Sequence, residues 1–581
     1  MSGSLMRFFI LTITMLLVAK TALPITPDQG WEAVEEAVRA GEKEILLGEG
    51  LFLLADTAAL GGEWSGVRLV GAGEDTIISG AVETGSWEKV SADGDLWRCQ
   101  SPLSRDEPVR QLFEVEGGRL PRSRMPNTGW YRGDRLSTID FDVNRVATRD
   151  VANGWRVTRP DVFAGLRFRE EDREDLAMLI AKPEGAVMQT ISAWTSAWHP
   201  VRKIDHETGD VTLYTPSRYP LVHWSYGVNE GGGTPYAIEN TEAGIDLERE
   251  WYWNPTENTL TLKSDGDPNE HRFLVPALET VLEIDGVEDL ELSNLQIAHS
   301  RSRFGRYDQH ADWAAAIRAW DPTFPAEFPQ GLTVPQSAPF TGEAIHVTNS
   351  RQVKLVGCWI AGTGGYGLRL GTNSHDCVIE RCRFDDLGAG GISIDPEIRK
   401  AETDYPTGHL VKGNTIVNGG RLHPAACAIR VAESADNRIE GNEIRHFGYT
   451  GISIGWAWNP RPNRTTGNLI IGNDISHVME VLSDGAGIYT LGSIPGTRIE
   501  DNFIHDIGRA ETAVGAGNSG IFFDQYSKGA MVRNNRLERI DSWKAEDERV
   551  PHPIKHHRNL PEDHTFEGNT VDGAPYEPAG E

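Results

Sequence analysis

Two stretches, NEIRHFGYTGISIG (442–455) and NDISHVMEVLSDGAGIYTLG (473–492), carry the pattern that decides the fold. Each opens on an Asn followed two residues later by an Ile, and each continues into a strand that begins with glycine. The opening triplet recurs through the C-terminal half at intervals of 24 to 34 residues. Its copies are Cys358-Trp-Ile, Cys382-Arg-Phe, Asn414-Thr-Ile, Asn442-Glu-Ile, Asn473-Asp-Ile, Asn502-Phe-Ile, Asn535-Arg-Leu and Asn569-Thr-Val.

A repeat of this length equals one coil of a parallel β-helix plus a variable loop. Successive coils lie about 4.8 Å apart, which lets an inward Asn at a turn bond the Asn of the next coil. The sequence therefore predicts an all-β chain, a right-handed parallel β-helix or solenoid, with an Asn ladder at one of its corners.

A second register marks equivalent strands on one face of the predicted helix. It runs through Gly391-Ile-Ser-Ile, Ala428-Ile-Arg-Val, Gly451-Ile-Ser-Ile, Gly487-Ile-Tyr-Thr and Gly520-Ile-Phe-Phe. Strand alternation sends the Ile residues inward and the residues between them outward. The predicted outward residues are Ser393, Arg430, Ser453, Tyr489 and Phe522, and the next outward row includes Asp395 and Asp524.

The N-terminus predicts an exported protein. Residues 1–22 place Arg7 before the apolar run FFILTITMLLVA, which is too short to span a bilayer comfortably. We interpret this segment as a signal peptide. We therefore expect a secreted or periplasmic location and no membrane span after signal cleavage.

The rest of the chain divides by the presence of the repeat. Residues 23–81 open with the helical spacing of WEAVEEAVRA and continue into strand-like runs, which predicts a cap helix and the first coils. The repeat is lost over 82–275, where we expect an inserted β-rich domain. It returns over 276–575, the predicted β-helix that carries the active-site groove, and a tail follows at 576–581.

The composition excludes several classes of protein. The formal net charge of −29 would repel a nucleic-acid backbone, so no nucleic-acid partner is expected. Five widely spaced cysteines favour buried thiols over a disulfide framework, with Cys358 and Cys382 stacked at equivalent repeat positions. The sequence contains no HExxH, Walker or paired CxxC motif, so neither a metal nor another cofactor is expected. The oligomeric state stays open.

The outward face of the glycine-led strands is the predicted functional surface. Loops such as WAWNPRPNRTTGN interrupt the repeat just after these strands and wall the face into a groove that fits an extended glycan. Trp456 and Trp458 offer flat faces to sugar rings, with packing of the loop onto its own coil as the alternative. Tyr489 is a further candidate for substrate contact. The predicted partner is therefore a polysaccharide or oligosaccharide.

Two carboxylates in this groove, Asp484 and Asp524, are the candidate catalytic residues. Glycoside cleavage usually requires one acid and one base or nucleophile. Formation of a turn beside glycine is the alternative role of each. Relative to their strand glycines the two positions differ by seven residues, or roughly 23 Å of extended chain. The pair therefore requires a sharp bend around Gly485 and Gly487.

Other residues keep further interpretations open. His477 and His505 follow ladder asparagines at similar distances, and they either line the groove or stack at a coil corner. Arg430 is outward on the central strand and would neutralise a uronate carboxylate, as a β-helix polysaccharide lyase requires. A noncatalytic glycan-binding β-helix needs only the aromatic groove. The acidic pair favours a glycosidase over both.

Several strings resemble glycoside hydrolase family 141, whose β-helix members include α-L-fucosidases and xylanases. They are YTGISIGWAWNP (449–460), LSDGAGIYTLGSIPGT (482–497), DNFIHDIG (501–508), GIFFDQYS (520–527), VRQLFEVEGGRLPRSRMPN (109–127) and EWYWNPTENTL (250–260). The resemblance covers most of the mature chain. It implies a glycosidase acting on an extracellular plant or algal polysaccharide or its oligosaccharides.

The resemblance also implies that Asp484 and Asp524 are the catalytic carboxylates, since they match the family's SDxGGIYTLG and DEGS segments. The chain departs from the family at three candidates for substrate binding. Gln525 stands where the family usually has an acid, and the family's His-Tyr-Gly segment appears as IKHHRN, which contains His556 and His557. These departures leave the substrate preference undefined.

Overall fold

The computed structural model describes residues 23–92, 94–134, 136, 147–150, 154–157, 164–214, 217, 221, 233–303, 332–334, 336–396, 404–510, 513, 516–540 and 552–578. The predicted signal peptide, 1–22, lies outside these residues. Within them, no helix combines the length and the apolar character needed to cross a membrane.

A right-handed parallel β-helix forms the body of the described chain, as the repeat predicts. Each full coil contributes one strand to each of three sheets, which we name B, C and A in their order along the chain; all their strands are parallel except the last strand of sheet C, Ala574–Pro575. Equivalent strands pair in register, so that Ile452, Ser453 and Ile454 align with Ile488, Tyr489 and Thr490 of the next coil.

The strands of the three sheets are short, as small coils require. Sheet A contains Ala58–Leu60, Leu282–Asp285, Glu343–Thr348, Tyr366–Leu370, Ile392–Ile394, Ile429–Val431, Ile452–Ile454, Ala486–Thr490, Ser519–Phe523 and Ile554–His556. Sheet B contains Glu44–Leu46, Arg68–Val70, Glu291–Ser293, Lys354–Val356, Val378–Glu380, Leu410–Lys412, Arg438–Glu440, Leu469–Ile471, Arg498–Glu500, Met531–Arg533 and Thr565–Glu567. Sheet C contains Gly50–Leu53, Thr76–Ser79, Gln296–Ala298, Trp359–Thr363, Arg383–Leu387, Thr415–Val417, Glu443–Arg445, Asp474–Ser476, Phe503–Ile507, Arg536–Ile540, Thr570–Val571 and Ala574–Pro575.

Aliphatic stacks fill the interior of the β-helix. Ile452 and Ile488 of sheet A are fully buried, as are Ile470 of sheet B and Ile475 of sheet C. One coil cannot bury this surface by itself, so each coil is stabilised by the coils above and below it. The predicted inward position of the Ile residues is confirmed.

The predicted Asn ladder is confirmed at the turn between sheets B and C. Asn442 Nδ2 donates to Asn473 Oδ1 at 2.9 Å and to the Val411 carbonyl at 3.0 Å. The backbone N–H of Asn442 also donates to Asn473 Oδ1, at 3.0 Å. The same three bonds are made by Asn414, Asn473, Asn502 and Asn535. The ladder thus satisfies polar groups that would otherwise be buried without partners.

Apolar and aromatic side chains pack at both ends of the β-helix core. Helix α1 (Gly30–Arg39) buries Val34 and Val38 against the first coils. At the other end, the Phe523 and His564 rings pack with their centroids 4.0 Å apart.

The region between Ser79 and Leu282 interrupts the second coil. The carbonyl of Gly80 accepts a hydrogen bond from the Ala277 N–H at 2.9 Å, so the chain leaves and re-enters the β-helix at adjacent points. Its strands, most of them antiparallel, are Ala81–Glu83, Glu88–Lys89, Leu96–Gln100, Phe113–Glu114, Gly118–Arg119, Arg124–Met125, Tyr131–Gly133, Ala147–Asp150, Gly154–Val157, Gly165–Arg167, Val187–Ser192, Thr195–Ile204, Asp210–Leu213, Thr234–Glu239, Trp251–Asn254, Thr259–Lys263 and Phe273–Pro276. Strand Leu332–Val334, later in the chain, pairs with Thr195–Ile204.

Helical segments are few and short in the described chain. Helix α2 spans Ala177–Ala181. The 3-10 turns are Pro27–Gln29, Gly62–Trp64, Glu170–Asp172, Glu242–Gly244, Pro268–Glu270 and Pro561–Asp563.

The cysteines are free and buried, as the sequence predicts. Cys358 and Cys382 are hydrogen-bonded neighbours in adjacent coils, and this bond together with burial raises the pKa of the Cys358 thiol. Both thiols therefore act as small core side chains at the start of the Asn ladder.

Candidate active site

One outward row of sheet A runs along the predicted groove face. Its members pair in register from coil to coil, which confirms the outward positions predicted from the glycine-led strands. The row contains Glu283, His346, Arg369, Ser393, Arg430, Ser453, Tyr489, Phe522 and Lys555. Both candidate carboxylates lie near its C-terminal end.

Asp524 follows the strand Ser519–Phe523 and is held against this row. Its side chain accepts a hydrogen bond from the Tyr489 hydroxyl at 2.5 Å, and its backbone N–H donates to the Thr490 carbonyl at 3.0 Å. The residue is only 8% exposed. Burial raises the pKa of the Asp524 carboxyl, the Tyr489 hydrogen bond opposes this increase, and the negative charge of Asp484 adds to it. The net change is an increase.

Asp484 lies just before the neighbouring strand, Ala486–Thr490, at a sharp bend. Its φ of 58° is in the left-handed region, which Asp adopts more readily than most residues. Gly485 packs so closely that a Cβ there would lie 2.7 Å from Met479 Sδ. A larger residue at 485 would therefore push its neighbours apart. The bend that the sequence required for the acidic pair is present at Asp484 and Gly485.

Two contacts fix the position of Asp484. Lys555 Nζ lies 3.0 Å from its Oδ1, and the Tyr449 hydroxyl donates to its backbone carbonyl at 3.1 Å. Gln336 Nε2 supports the tyrosine by donating to its hydroxyl oxygen at 2.9 Å. The side chains of Asp484 and Lys555 are 25% and 19% exposed, so a ligand can reach this ion pair.

The structure brings the two carboxylates into one cluster with different surroundings. Tyr489 and Lys555 belong to the same outward row, on either side of Phe522, and each holds one of the carboxylates. When one carboxyl has a raised pKa and its neighbour is ion-paired, the first can hold a proton to donate and the second can act as a base. From the sequence, Lys555 is notable only as part of the basic stretch 555–558, and Tyr449 carries no signal, although extending the outward row by one coil finds Lys555.

Arg430 does not lie in the accessible part of the groove, contrary to the prediction. It is 1% exposed, and its guanidinium donates to Asp395 Oδ2 at 2.7 Å. Arg369 donates to the same oxygen at 3.2 Å. The Trp456 ring covers the guanidinium at 4.6 Å from its centroid. Arg430 is therefore neutralised inside the protein and is not available to a uronate.

The two candidate tryptophans differ in exposure. Trp456 is half-buried over Arg430, which favours the loop-packing alternative for this residue. Trp458 packs edge to face against Trp456, with ring centroids 4.6 Å apart, and is 43% exposed. Trp458 therefore has the larger free ring surface.

His477 and His505 lie along sheet C, not sheet A. The His477 ring packs against His446 with centroids 5.2 Å apart. His505 hydrogen-bonds Asp506 at 2.6 Å and Asp474 at 3.0 Å. These contacts favour the coil-corner alternative, and they place both imidazoles on a different face from the carboxylates.

His556 and His557 lie on opposite sides of the chain at the end of sheet A. His556 is the register partner of the inward Phe523 and stacks on it, with ring centroids 5.3 Å apart, so it belongs to the core end and not to the groove. His557 is exposed and close enough for its charge to lower the pKa of Asp524. Gln525 directly follows Asp524 and is half-buried. His557 and Gln525 therefore lie at the mouth of the site.

A hairpin of the inserted region, 187–204, also borders the groove. The Ser483 N–H donates to the carbonyl of Ala193 at the hairpin tip, at 3.0 Å. The Trp198 indole N–H donates to the Leu422 carbonyl at 2.9 Å. The hairpin is thus bonded to the β-helix one residue before Asp484, a contact that no local sequence pattern reveals.

Among the described residues, one group of three has donor atoms close enough together to hold a metal ion. It consists of Glu114, Glu116 and His271 in the inserted region, with all three donor atoms within 4.8 Å of one another. Arg249 lies 2.6 Å from the Glu114 carboxylate, and His271 Nδ1 lies 2.7 Å from it. These contacts describe an ion-pair network around a buried carboxylate.

Comparison with solved structures finds this fold in other proteins. A structure described as "Glycoside hydrolase" has a TM-score of 0.71 at 17% identity, over 94% of this chain and 92% of the other. The complex of XylC with xylose has a TM-score of 0.42 at 13% identity, over 90% and 69% of the two chains. The Azotobacter vinelandii mannuronan C-5 epimerase AlgE6 A-module has a TM-score of 0.30 at 12% identity, over 51% and 78%. The first likeness extends almost from end to end and shows a shared fold.

Sequence comparison adds one family. The model of the periplasmic copper-binding protein (NosD) family matches residues 336–506, and the described strands in this range belong to the β-helix. No curated protein sequence matches this chain.

Proposed function

We propose that this chain is a secreted glycoside hydrolase, similar to family 141, that cleaves an extracellular plant or algal polysaccharide or its oligosaccharides. The observation that carries the proposal is the pair of carboxylates at the end of one outward row, each in a different environment. Asp524 is buried against Tyr489, and Asp484 is paired with Lys555.

Asp524 is the proposed general acid. A glycosidic oxygen must receive a proton as its bond breaks, so the donor must hold that proton near the working pH. Burial of Asp524 and the nearby charge of Asp484 raise the pKa of the Asp524 carboxyl, which favours the protonated form. This environment suits a proton donor.

Asp484 is the proposed base or nucleophile. Its Oδ1 lies 3.0 Å from Lys555 Nζ, and the ammonium offsets the charge of an ionised carboxylate. The side chain is also more exposed than that of Asp524, so it can meet a sugar or a water molecule. In this role Asp484 either attacks the anomeric carbon or activates water.

The resemblance of the site strings to family 141 supports the same assignment. Both carboxylates lie in the matching segments, and the bend at Gly485 that joins them is part of one such segment. The near full-length likeness to a glycoside hydrolase fold supports the architecture on which this chemistry depends.

The lyase alternative has less support from the described contacts. A lyase needs a cationic group to neutralise the uronate carboxylate, and the candidate for that role, Arg430, already binds Asp395. A noncatalytic glycan-binding β-helix does not require a buried acid next to a second carboxylate. Neither alternative uses the Tyr489 to Asp524 bond.

The test measures reducing-sugar release and ultraviolet absorbance in parallel on fucosylated, xylan and sulfated algal glycans. Wild-type protein is compared with Asp484→Asn and Asp524→Asn. We expect new reducing ends without added absorbance, and a loss of about a thousandfold in kcat/KM for each variant.

Asp474→Asn is the matched control, because Asp474 lies on sheet C, its side chain is 55% exposed, and it pairs with His505 outside the site. It should retain wild-type activity. Rising absorbance would indicate β-elimination, and full activity in both site variants would contradict the assignment of the two carboxylates.

A further inference from the structure

We infer that the site is a blind pocket and that the enzyme is exo-acting, so that it releases one terminal sugar at a time. This inference rests on the proposed glycosidase function. It follows from how far the groove is open on each side of Asp484 and Asp524.

The outward row is closed on the N-terminal side of the carboxylates. Ser393, Arg430 and Ser453 are each at most 2% exposed, although all three point away from the β-helix core. An endo-acting enzyme binds sugars on both sides of the scissile bond and needs an open floor across several coils. The buried row leaves no such floor on this side.

A short stretch of chain, residues 336–341, lies across this part of the row, and we call it the cover segment. The carbonyl of Ser337 accepts a hydrogen bond from the Tyr366 hydroxyl at 2.7 Å, and its Oγ accepts one from Arg430 Nε at 3.2 Å. These bonds anchor the cover segment to two coils of sheet A. The Trp456 ring also covers the Arg430 guanidinium.

The cover segment begins at the catalytic cluster. Gln336 donates a hydrogen bond to the Tyr449 hydroxyl at 2.9 Å and lies close enough to the Tyr489 hydroxyl to lower the pKa of that group. Tyr449 in turn bonds the backbone of Asp484, and Tyr489 bonds the carboxylate of Asp524. Gln336 and the two tyrosines thus form an end wall directly beside the carboxylates. A sugar held against this wall has no neighbouring unit beyond it.

On the opposite side of the site, the described residues are exposed to solvent. The Asp484 and Lys555 side chains are 25% and 19% exposed, and Tyr526, on the turn after Asp524, is 38% exposed. His557 is exposed as well. One further described strand of sheet A, which contains Lys555, follows on this side. The glycan therefore enters from the C-terminal side with its terminal sugar against the end wall.

The test follows viscosity, reducing ends and product size together on soluble arabinoxylan, fucosylated xyloglucan and a sulfated fucan. We expect reducing ends to accumulate with no loss of viscosity, and one monosaccharide to be the product from the earliest time point. Asp524→Asn is the control, because any viscosity loss that persists in this variant comes from a contaminating enzyme.

The outcomes separate the two claims. A mixture of oligosaccharides with an immediate fall in viscosity would overturn the exo-acting site and leave the glycosidase function in place. Elimination products, or no reducing ends from any of the three glycans, would remove the glycosidase function and the exo-acting site with it.

Discussion

Two turns of each coil differ in their residues and in their role: the turn between sheets B and C, and the turn between sheets C and A. The first is short and repeats an Asn in coil after coil, each making the same three hydrogen bonds. The second differs in every coil, and in one coil it contains the bend at Asp484 and the contact with the inserted hairpin. The repeated turn stabilises the solenoid, and the variable turn is free to carry chemistry.

Breaking the repeated turn should affect stability and not catalysis. Asn473→Ala removes the acceptor for two donors of Asn442 and leaves buried polar groups without partners. We expect the free energy of unfolding to fall by about 3 kcal/mol, measured by denaturant titration.

Asn459→Ala is the control for this prediction, because Asn459 is exposed in the loop after sheet A. It should change the free energy of unfolding by less than about 0.5 kcal/mol. Equal losses in the two variants would show that the ladder contributes no special stability.

A substitution in the active site should instead reduce catalysis and leave stability unchanged. Lys555→Met removes the ammonium beside Asp484 but keeps an unbranched apolar side chain of similar length, so most of the packing of the stem remains. We expect kcat to fall by about 100-fold with an unchanged melting temperature. The exposed Lys528 lies in the same part of the chain, and Lys528→Met should leave both quantities unchanged. A wild-type kcat in Lys555→Met would show that Lys555 takes no part in the reaction.

The pH dependence of catalysis tests the role of the buried Asp524 carboxyl. The Tyr489 hydroxyl stabilises ionised Asp524 and lowers the pKa of its carboxyl, so Tyr489→Phe should raise that pKa further. The general acid then stays protonated to higher pH, and the alkaline limb of the kcat/KM profile moves upward. We also expect a loss of about tenfold in kcat from the missing hydrogen bond.

Tyr449→Phe is the matched control for the pH experiment. Its hydroxyl donates to the backbone carbonyl of Asp484 and not to a carboxylate. This variant should leave the alkaline limb in place. If Asp524 instead acts as the ionised group, Tyr489→Phe would move the acidic limb upward and leave the alkaline limb in place.

The same contrast explains what the sequence could predict. The Asn ladder and the outward row were predictable because each repeats with the coil, and the register of Tyr489 and Phe522 follows from strand alternation alone. The sequence did not predict the bend at Asp484 directly. It showed only that the two carboxylates cannot come together without such a bend.

Contacts that are remote in sequence were not predictable. The burial of Arg430 depends on Ser337, which is 93 residues away, and on an ion pair with Asp395. The spacing of His505 left both the groove and a coil corner open, because it fits any corner of the coil, and the structure places this residue on sheet C. The partner of Asp484, Lys555, lies 71 residues away along the chain.

The most direct measurement of the central claim compares kcat/KM of the double variant Asp484→Asn, Asp524→Asn with that of each single variant. If the two carboxylates act in one reaction, the double variant should be no slower than the slower single variant, because removing either partner already abolishes the shared step. Losses that multiply in the double variant would show independent contributions and contradict the account of a catalytic pair.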